Sequence, residues 1–222
     1  MRESTARKTA MHTWSDYRAW DDDLRWELIG GEAYAMSPAP TPRHQLIQLE
    51  LAVQFAAYFR GKTCQVYPAP IDVKLSETDV VQPDIIVVCD PGQVKRTHIE
   101  GAPTLLVEIL SPSTQAHDRL RKLPLYAASG VREVWLITPY PWLAEVYVLD
   151  GVSFRVDQVY GKSDTLQSRA FPGLKVQLAT VFNYPIDPAE SVELIKEGRP
   201  PPYATRRPAT PGRRARGRRS AR

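Results

Sequence analysis

Two short apolar runs, each with one carboxylate, are the clearest hydrophobic pattern in the chain. Ile85-Ile86-Val87-Val88-Cys89 follows Asp84, and Leu105-Leu106-Val107-Glu108-Ile109-Leu110 contains Glu108. Apolar runs of this length, bounded by turn residues, predict buried strands. Side chains alternate between the two faces of a strand, so Glu108 shares a face with Leu106. An ionised oxygen there is costly unless a cation or a donor compensates it.

The remaining periodicity predicts a mixed arrangement of helices and strands. Gly30-Gly31 supplies the turn of a hairpin between strands at 26–29 and 32–36. Apolar residues at helical spacing predict a long amphipathic helix over 43–60. The other predicted elements are a short helix capped by Ser15 and ending near Asp22, strands at 64–67 and 71–75, a loop or short helical turn over 91–103, a helix from Ser113 or Thr114 to Gly130, a strand at 131–138, and a hairpin of 143–149 with 153–160. This order predicts an α/β fold in which helices flank a mixed β-sheet.

Composition fits one globular domain followed by a basic tail. The chain has 222 residues, of which 43% are hydrophobic and 24% charged, which suits one domain over about residues 12–190. Residues 198–222 contain nine arginines and no acidic residue, so removing them from the net charge of +4 leaves −5. The tail also holds five prolines and few apolar residues, and we expect it to be disordered. It is either an arm for nucleic acid or a solvated extension.

The sequence predicts a soluble, cytoplasmic protein that does not enter a membrane. No apolar stretch approaches the roughly 20 residues that a membrane span needs, and the polar start leads into no signal-like region. Cys64 and Cys89 lack the close spacing of a zinc or redox motif. A disulfide between them is conceivable, but free structural thiols are the interpretation we adopt.

The two carboxylates predict a metal site if their strands are neighbours. Carboxylate oxygens and water are the ligands that Mg²⁺ prefers, and such an ion leaves room for a phosphate. Asp118, Lys122 and Tyr126 are spaced four residues apart on the following helix, which brings a cation towards the same place. Pro124 interrupts that helix, so the helix either kinks there or restarts near Lys122 with the proline in its first turn.

Each of these residues also has a simpler structural interpretation. Asp84 after a proline can merely terminate a strand. Glu108 can form a structural ion pair with Lys122 without any metal. Asp118 and Lys122 can equally be an exposed helix pair worth about 0.3 kcal/mol. The ordered set as a whole favours a site.

The motifs that carry these residues resemble a known family. They are Glu32 after Gly30-Gly31, His44, Val81-Gln82-Pro83-Asp84, the segment from Val107 to Ser113, Asp118 through Lys122 to Tyr126, and the segment from Gly130 to Trp135. In this order, from about Trp14 to Phe182, they resemble the Uma-type restriction endonuclease family, which belongs to the PD-(D/E)XK nuclease superfamily. The resemblance implies a restriction-endonuclease-like fold and an endonuclease that hydrolyses DNA.

The resemblance also implies roles for individual residues. Asp84 and Glu108 would hold Mg²⁺, for which Mn²⁺ can substitute, with the carbonyl of Ile109 as a third ligand. Glu32 would supply an additional catalytic carboxylate. The lysine that the parent motif has two residues after its acidic residue is Leu110 here, and the resemblance suggests Lys122 as its replacement. The expected contacts to DNA come from His44, Ser111, Tyr126, Arg213 and Arg214, and the family pattern suggests a homodimer.

Three hypotheses follow from the sequence. The first is a Mg²⁺-dependent endonuclease that acts on DNA. The second is a nuclease-fold protein that binds nucleic acid without catalysis, which Leu110 and Pro124 favour. The third is a structural or partner-binding protein in which Glu108 and Lys122 only pair.

Overall fold

Short, largely aliphatic strands and a few helices make up the part of the chain that the structure describes. The structure is a computed structural model that describes residues 11–21, 24–36 and 39–184. The strands are β1 (Trp26–Ile29), β2 (Glu32–Ala35), β3 (Gln65–Pro68), β4 (Val73–Lys74), β5 (Val80–Val81), β6 (Ile85–Val88), β7 (Ile99–Glu100), β8 (Leu105–Ile109), β9 (Glu133–Thr138), β10 (Leu143–Asp150), β11 (Ser153–Gly161), β12 (Thr165–Gln167) and β13 (Lys175–Gln177). The helices are α1 (Trp14–Arg18), α2 (Pro42–Phe59), α3 (Gln115–His117), α4 (Leu123–Ala128) and α5 (Leu178–Val181), with a 3₁₀ turn at Pro91–Gln93 and a π-helix at Asp118–Lys122.

The strands form two larger sheets and one small one within the described residues. The six-stranded sheet has the order β11-β10-β9-β8-β6-β3, and only β8 and β9 are parallel in it. The five-stranded sheet has the order β2-β1-β5-β4-β7, and β12 pairs with β13. The predicted α/β class with mixed sheets and flanking helices is confirmed. The strands form more than the one sheet that we expected. Strands β5, β7, β12 and β13 and helix α5 were not predicted, and β7 lies in the segment 91–103 that we expected to be a loop or a short helical turn.

The register of β6 and β8 decides how the two carboxylates face each other. Ile85 pairs with Val107 and Ile86 with Leu106 in antiparallel order. Continuing this register places Asp84 opposite Glu108, and opposite residues of an antiparallel pair project to the same face. The two faces belong to separate hydrophobic clusters, one with Ile85 and Val107 and the other with Ile86 and Leu106. The predicted alternation along β8 is therefore confirmed.

Helix α2 covers one face of the six-stranded sheet and begins beside Asp84. The Thr41 hydroxyl caps the helix by accepting a hydrogen bond from the His44 N–H (3.3 Å), and Pro42 occupies the first turn, where the missing donor has no cost. The buried face consists of Ile47, Leu51, Phe55 and Phe59. Near the helix start, the Gln48 amide donates to the Asp84 carbonyl oxygen (2.8 Å). This bond fixes the N-terminal end of α2 at the mouth of β6.

A π-helix forms where we predicted an interrupted α-helix. The Leu123 N–H donates to the Asp118 carbonyl, five residues back, and the wider turn ends just before Pro124 in the first turn of α4. A proline ring clashes with the carbonyl four residues before it in a regular helix, and the wider turn relieves that clash. Of the two alternatives, the structure agrees with a helix that restarts near Lys122. The chain does not leave the helical path there, because the π-helix leads directly into α4.

Two smaller predictions are wrong. Thr13, rather than Ser15, caps α1, which ends at Arg18, and Thr13 forms a reciprocal capping box with Asp16. Cys64 and Cys89 are joined by a disulfide and are not free thiols. They extend the β3–β6 register, in which Gln65 pairs with Val88, so the two residues lie directly across the strand pair. In the described ranges, no helix is long and apolar enough to span a membrane.

Candidate active site

Lys122 lies at the centre of a buried group of carboxylates. Its Nζ is 2.9 Å from Glu108 Oε1, 3.0 Å from Glu27 Oε1 and 3.4 Å from Asp118 Oδ1. The residue is only 4% exposed. Burial alone would lower the pKa of Lys122, but Glu108 and Glu27 outweigh this and hold it well above its usual value. Lys122 is thus a permanently charged ammonium and not a proton acceptor.

The neighbours of Glu108 compensate the charge of its ionised form poorly. Its Oε1 accepts hydrogen bonds from the Tyr126 hydroxyl (2.5 Å) and from Lys122. Burial raises the pKa of Glu108 to about 8; the Lys122 ammonium opposes the rise, while Asp118, Asp84 and Glu27 add to it. One ammonium therefore does not neutralise the carboxylates that surround it. The site would be stabilised by additional positive charge.

Glu27 is a site residue that the sequence analysis missed. It lies in β1, is 4% exposed, and accepts a hydrogen bond from the Gln82 N–H (3.0 Å). His117 Nε2 lies 3.5 Å from its other oxygen. Burial would raise the pKa of Glu27, but Lys122, His117 and the Gln82 N–H together lower it to about 2. Glu27 is therefore the ionised partner that anchors Lys122.

The π-helix places the side chains of Asp118 and Lys122 next to each other in the protein interior. Asp118 is 5% exposed, and burial raises its pKa, with Lys122 opposing the rise. The interpretation of Asp118 and Lys122 as an exposed pair is therefore wrong. Tyr126, one turn further, donates its hydroxyl to Glu108 and is only 1% exposed, although we expected this residue to contact DNA. Lys122 and Tyr126 thus contact the strand carboxylate Glu108, and Asp118 contacts Lys122.

Asp84 lies at the edge of this group, on the side of helix α2. Its Oδ2 accepts a hydrogen bond from the Ile109 N–H (2.7 Å) and lies 3.3 Å from His44 Nε2. In a strand, the N–H and C=O of one residue point to the same edge, so the Ile109 carbonyl is directed to the side of Asp84. His44 of helix α2 therefore lies next to Asp84. The negative charge of Asp84 in turn raises the pKa of Glu108.

The donor set suits a hard divalent cation that keeps most of its water. Glu27, Glu108 and Asp118 surround a single lysine, and Asp84 lies next to Glu108. In the described ranges, no three His, Cys, Asp or Glu side chains form a complete cage for a metal. Mg²⁺ is usually held by one or two carboxylates together with water and substrate phosphate, whereas Zn²⁺ sites use three or four protein ligands, mainly His and Cys. Asp84 and Glu108, with the Ile109 carbonyl, fit the former.

The structure does not bring every expected residue to this group. Glu32 contacts the Tyr34 hydroxyl, lies 4.0 Å from Arg121, and has a side chain that is 45% exposed. It lies two residue pairs from Glu27 on the same face of the hairpin, and Glu27 occupies the buried position instead. The Ser111 hydroxyl bonds to Ser113 and Thr114 in the turn before α3. Arg213 and Arg214 lie outside the described residues.

Comparisons with known proteins agree with this fold. A structure from Anabaena variabilis ATCC 29413, described as a putative nuclease belonging to DUF820, superimposes with a TM-score of 0.64. It covers 77% of this chain and 97% of its own, at 18% identity, a level that shows the shared fold. An uncharacterized protein of Synechocystis sp. strain PCC 6803 is 30% identical over 152 residues, which are 67% of this chain and 73% of that protein.

The sequence profile of the Uma2 family, described as "Putative restriction endonuclease", matches residues 14–180. That range contains β1 through β13 and every residue of the buried carboxylate group. The chain therefore belongs to the Uma2 family of restriction-endonuclease-like proteins.

Proposed function

We propose that the protein is a Mg²⁺-dependent endonuclease that hydrolyses phosphodiester bonds in DNA. The observation that supports the proposal most is the contact of 2.9 Å between Lys122 Nζ and Glu108 Oε1. The register of β6 and β8 places Asp84 opposite Glu108 on the same face of the sheet. Family membership supports nuclease chemistry. The lysine that is missing at Leu110 is thereby supplied by the π-helix.

Asp84 and Glu108 would hold Mg²⁺, with the Ile109 carbonyl as a further ligand and Mn²⁺ as a substitute. When bound, such an ion supplies a Lewis acid for the phosphoryl oxygen and lowers the pKa of a coordinated water. The Tyr126 hydroxyl restrains the Glu108 carboxylate by its hydrogen bond to Oε1. A carboxylate restrained in this way would offer its second oxygen to a metal ion in a fixed orientation.

Lys122 would stabilise the negative charge that develops on the phosphoryl group and orient the attacking water. An ammonium with a raised pKa donates hydrogen bonds but takes no proton, so its role is electrostatic. Glu27 and Asp118 keep the amine in place. We assign to Glu27 the accessory role that the family resemblance suggested for Glu32, because Glu27 contacts the lysine and Glu32 does not.

Two groups at the rim of the site suit a substrate phosphate. His44 lies near the N-terminal end of the 18-residue helix α2 and 3.3 Å from Asp84 Oδ2, and helix N-termini attract anions. Ser111 would contribute from the turn that follows β8. Arg213 and Arg214 of the basic tail would add contacts to the DNA backbone without sequence specificity. A symmetric dimer would allow two sites to act on the two strands.

Cleavage of supercoiled plasmid and of single-stranded DNA in Mg²⁺ and in Mn²⁺ tests the proposal. Asp84→Asn, Glu108→Gln and Lys122→Met should each reduce cleavage by at least about a hundredfold, the scale of losing a preorganised electrostatic group. Lys74 and Glu100 form a matched lysine–carboxylate pair at 3.1 Å outside the site. Lys74→Met and Glu100→Gln should therefore leave cleavage unchanged. No cleavage by the unmodified protein, or cleavage that survives the three site variants, would contradict the proposal.

A second candidate is a nucleic-acid-binding protein that has lost catalysis. Glu108 Oε1 already accepts hydrogen bonds from Lys122 and Tyr126 without a metal, as it would in a purely structural ion pair. Binding in a mobility shift assay, without turnover in either metal, would favour this candidate. A protein that shows neither metal binding nor DNA binding by isothermal titration would be a structural or partner-binding protein.

A further inference from the structure

A concave site lies on the face of β1 that is opposite to Glu27, and it takes no part in the proposed hydrolysis. It is a cavity of about 240 Å³ whose walls include the rings of Trp14, Tyr17, Trp20 and Trp26, together with Arg18 and Asp72. We call it the aromatic cavity. At roughly 30 Å³ per water molecule it holds the equivalent of about eight waters, which is a space of the size of one heterocyclic base.

Four of the residues that line the aromatic cavity carry flat rings. The Trp14 and Tyr17 rings are stacked with centroids 5.6 Å apart, and Trp20 meets Tyr17 at 5.5 Å and Trp26 at 5.8 Å. Trp14, Tyr17 and Trp20 are only partly buried, so they retain exposed surface. A nucleobase gains by stacking on such rings whatever its sequence context.

The aromatic cavity is lined by one acidic side chain, Asp72, and one basic side chain, Arg18. Asp72 Oδ1 accepts hydrogen bonds from the Tyr17 hydroxyl (2.7 Å) and the Gln82 amide (2.8 Å). Among the described residues, no donor is bonded to Asp72 Oδ2. The Arg18 guanidinium, which is exposed, lies 5.7 Å from the Trp14 ring centroid. The cavity therefore offers an acceptor within its wall and a cation at its rim.

Gln82 connects the aromatic cavity directly to the carboxylate group. Its backbone N–H donates to Glu27 Oε1 (3.0 Å), while its side-chain amide donates to Asp72 and to the Tyr17 hydroxyl (3.2 Å). One residue thus spans the distance between the lysine anchor and the cavity wall.

We propose that the aromatic cavity binds one unpaired DNA base that carries an exocyclic amino group. Cytosine, adenine and guanine carry such a donor, and thymine does not. Asp72 accepts from the amino group, the tryptophan and tyrosine rings stack on the base, and Arg18 contacts a neighbouring phosphate. This inference rests on the proposed nuclease function, because that function makes DNA the ligand of the protein.

Binding of short duplexes with a single-nucleotide bulge tests the inference separately from cleavage. Three labelled duplexes carry a bulged cytosine, a bulged thymine or a bulged abasic site. Their affinities for the full chain are measured by fluorescence anisotropy in EDTA and again in Ca²⁺. We expect the cytosine bulge to bind about tenfold or more tightly than the abasic bulge, the scale of one stacked base, and more tightly than the thymine bulge.

Two variants connect that preference to the aromatic cavity. Trp14→Ala should remove about tenfold of the affinity for the cytosine bulge and little of that for the abasic bulge. Asp72→Asn, which keeps the shape, should reduce the preference for cytosine over thymine while the stacking contribution remains. Tyr58→Ala is the control, because Tyr58 is a half-buried aromatic residue near the far end of α2. Melting temperatures show whether each variant is folded.

The outcomes separate this inference from the proposed function. Equal affinities for the three bulges in both buffers, or equal losses in Trp14→Ala and Tyr58→Ala, would overturn the aromatic cavity as a base site. Plasmid cleavage in Mg²⁺ would be unaffected by that result. A cytosine preference that depends on Trp14 and Asp72, in a protein that cleaves no DNA, would support the cavity and contradict the nuclease.

Discussion

Replacing Glu27 by glutamine removes the charge that anchors Lys122 and leaves the shape of the side chain nearly unchanged. A fall of the pKa of Glu27 from 4.5 to about 2 corresponds to about 3 kcal/mol of interaction that favours the ionised form, at about 1.4 kcal/mol per pH unit. Because Glu27 is 4% exposed, solvent screens little of this. We therefore expect Glu27→Gln to lower the free energy of unfolding at pH 7 by about 3 kcal/mol.

The loss should appear both in stability and in cleavage. For a protein of this size, about 3 kcal/mol corresponds to a fall of roughly 6–12 °C in melting temperature. Lys122 keeps Glu108 and Asp118 as partners but loses one of its three anchors. A displaced ammonium stabilises the transition state less, and about 1.4 kcal/mol is already tenfold in rate. Single-turnover plasmid cleavage should therefore fall by at least about tenfold.

The pH dependence of this effect has a definite sign. The folded-state pKa of Glu27 lies below its ordinary value of 4.5, so its stabilisation is fully present above pH 4.5 and is lost as the pH falls towards 2. The difference in melting temperature between the unmodified protein and Glu27→Gln should thus be constant near neutral pH. It should shrink steadily as the pH falls below about 4.5.

Glu32→Gln is the matched control for this experiment. Glu32 is on the same hairpin, but its side chain is 45% exposed and lies 4.0 Å from Arg121. An exposed pair of this kind contributes at most about 1 kcal/mol, so cleavage and melting temperature should hardly change. The reasoning is refuted if Glu32→Gln loses more cleavage than Glu27→Gln, or if both variants melt at the same temperature.

Three further predictions concern other parts of the molecule. Glu108→Gln should abolish cleavage without lowering the melting temperature of the metal-free protein, because it removes one of several crowded carboxylates; a large loss of stability in thermal denaturation would contradict this. Glu133→Ala should lower the free energy of unfolding in urea by about 1–3 kcal/mol for each buried donor that it leaves without an acceptor. The Glu133 carboxylate accepts hydrogen bonds from Trp135, Ser168, Arg169 and Ala170, and a loss below about 1 kcal/mol would argue against that role. Removing residues 198–222 should reduce the slope of log affinity against log salt by about one for each DNA phosphate that the tail neutralises, and an unchanged slope would leave the tail without a role in DNA binding.

Local sequence pattern predicted the strands and the relation of the two carboxylates well. Alternation in β8 and the proline before Asp84 are sufficient to direct Glu108 and Asp84 correctly, since both follow from the two-residue period of strands. Glu27 carried the same signal and was overlooked. It stands between Trp26 and Leu28, as Glu108 stands between Val107 and Ile109. The argument that a mid-strand carboxylate needs a partner applies to Glu27 equally.

Other features depend on contacts that no local pattern contains. The π-helix could be predicted only if it were known that Lys122 contacts Glu108 and Glu27 while Pro124 stays in the helix. The disulfide between Cys64 and Cys89 follows only from the β3–β6 register, which pairs residues far apart in sequence. The aromatic cavity is assembled from α1 and from residues near β1 and β4, so it too is a product of the tertiary fold.

A crystal of the full chain soaked in Mn²⁺ and measured for anomalous scattering tests the central claim most directly. The account predicts one anomalous peak within coordination distance of an oxygen of Asp84 and an oxygen of Glu108. Lys122 should remain beside that peak, in contact with Glu27. An absence of any peak between these two carboxylates, or a peak only at other side chains, would contradict the proposed metal site.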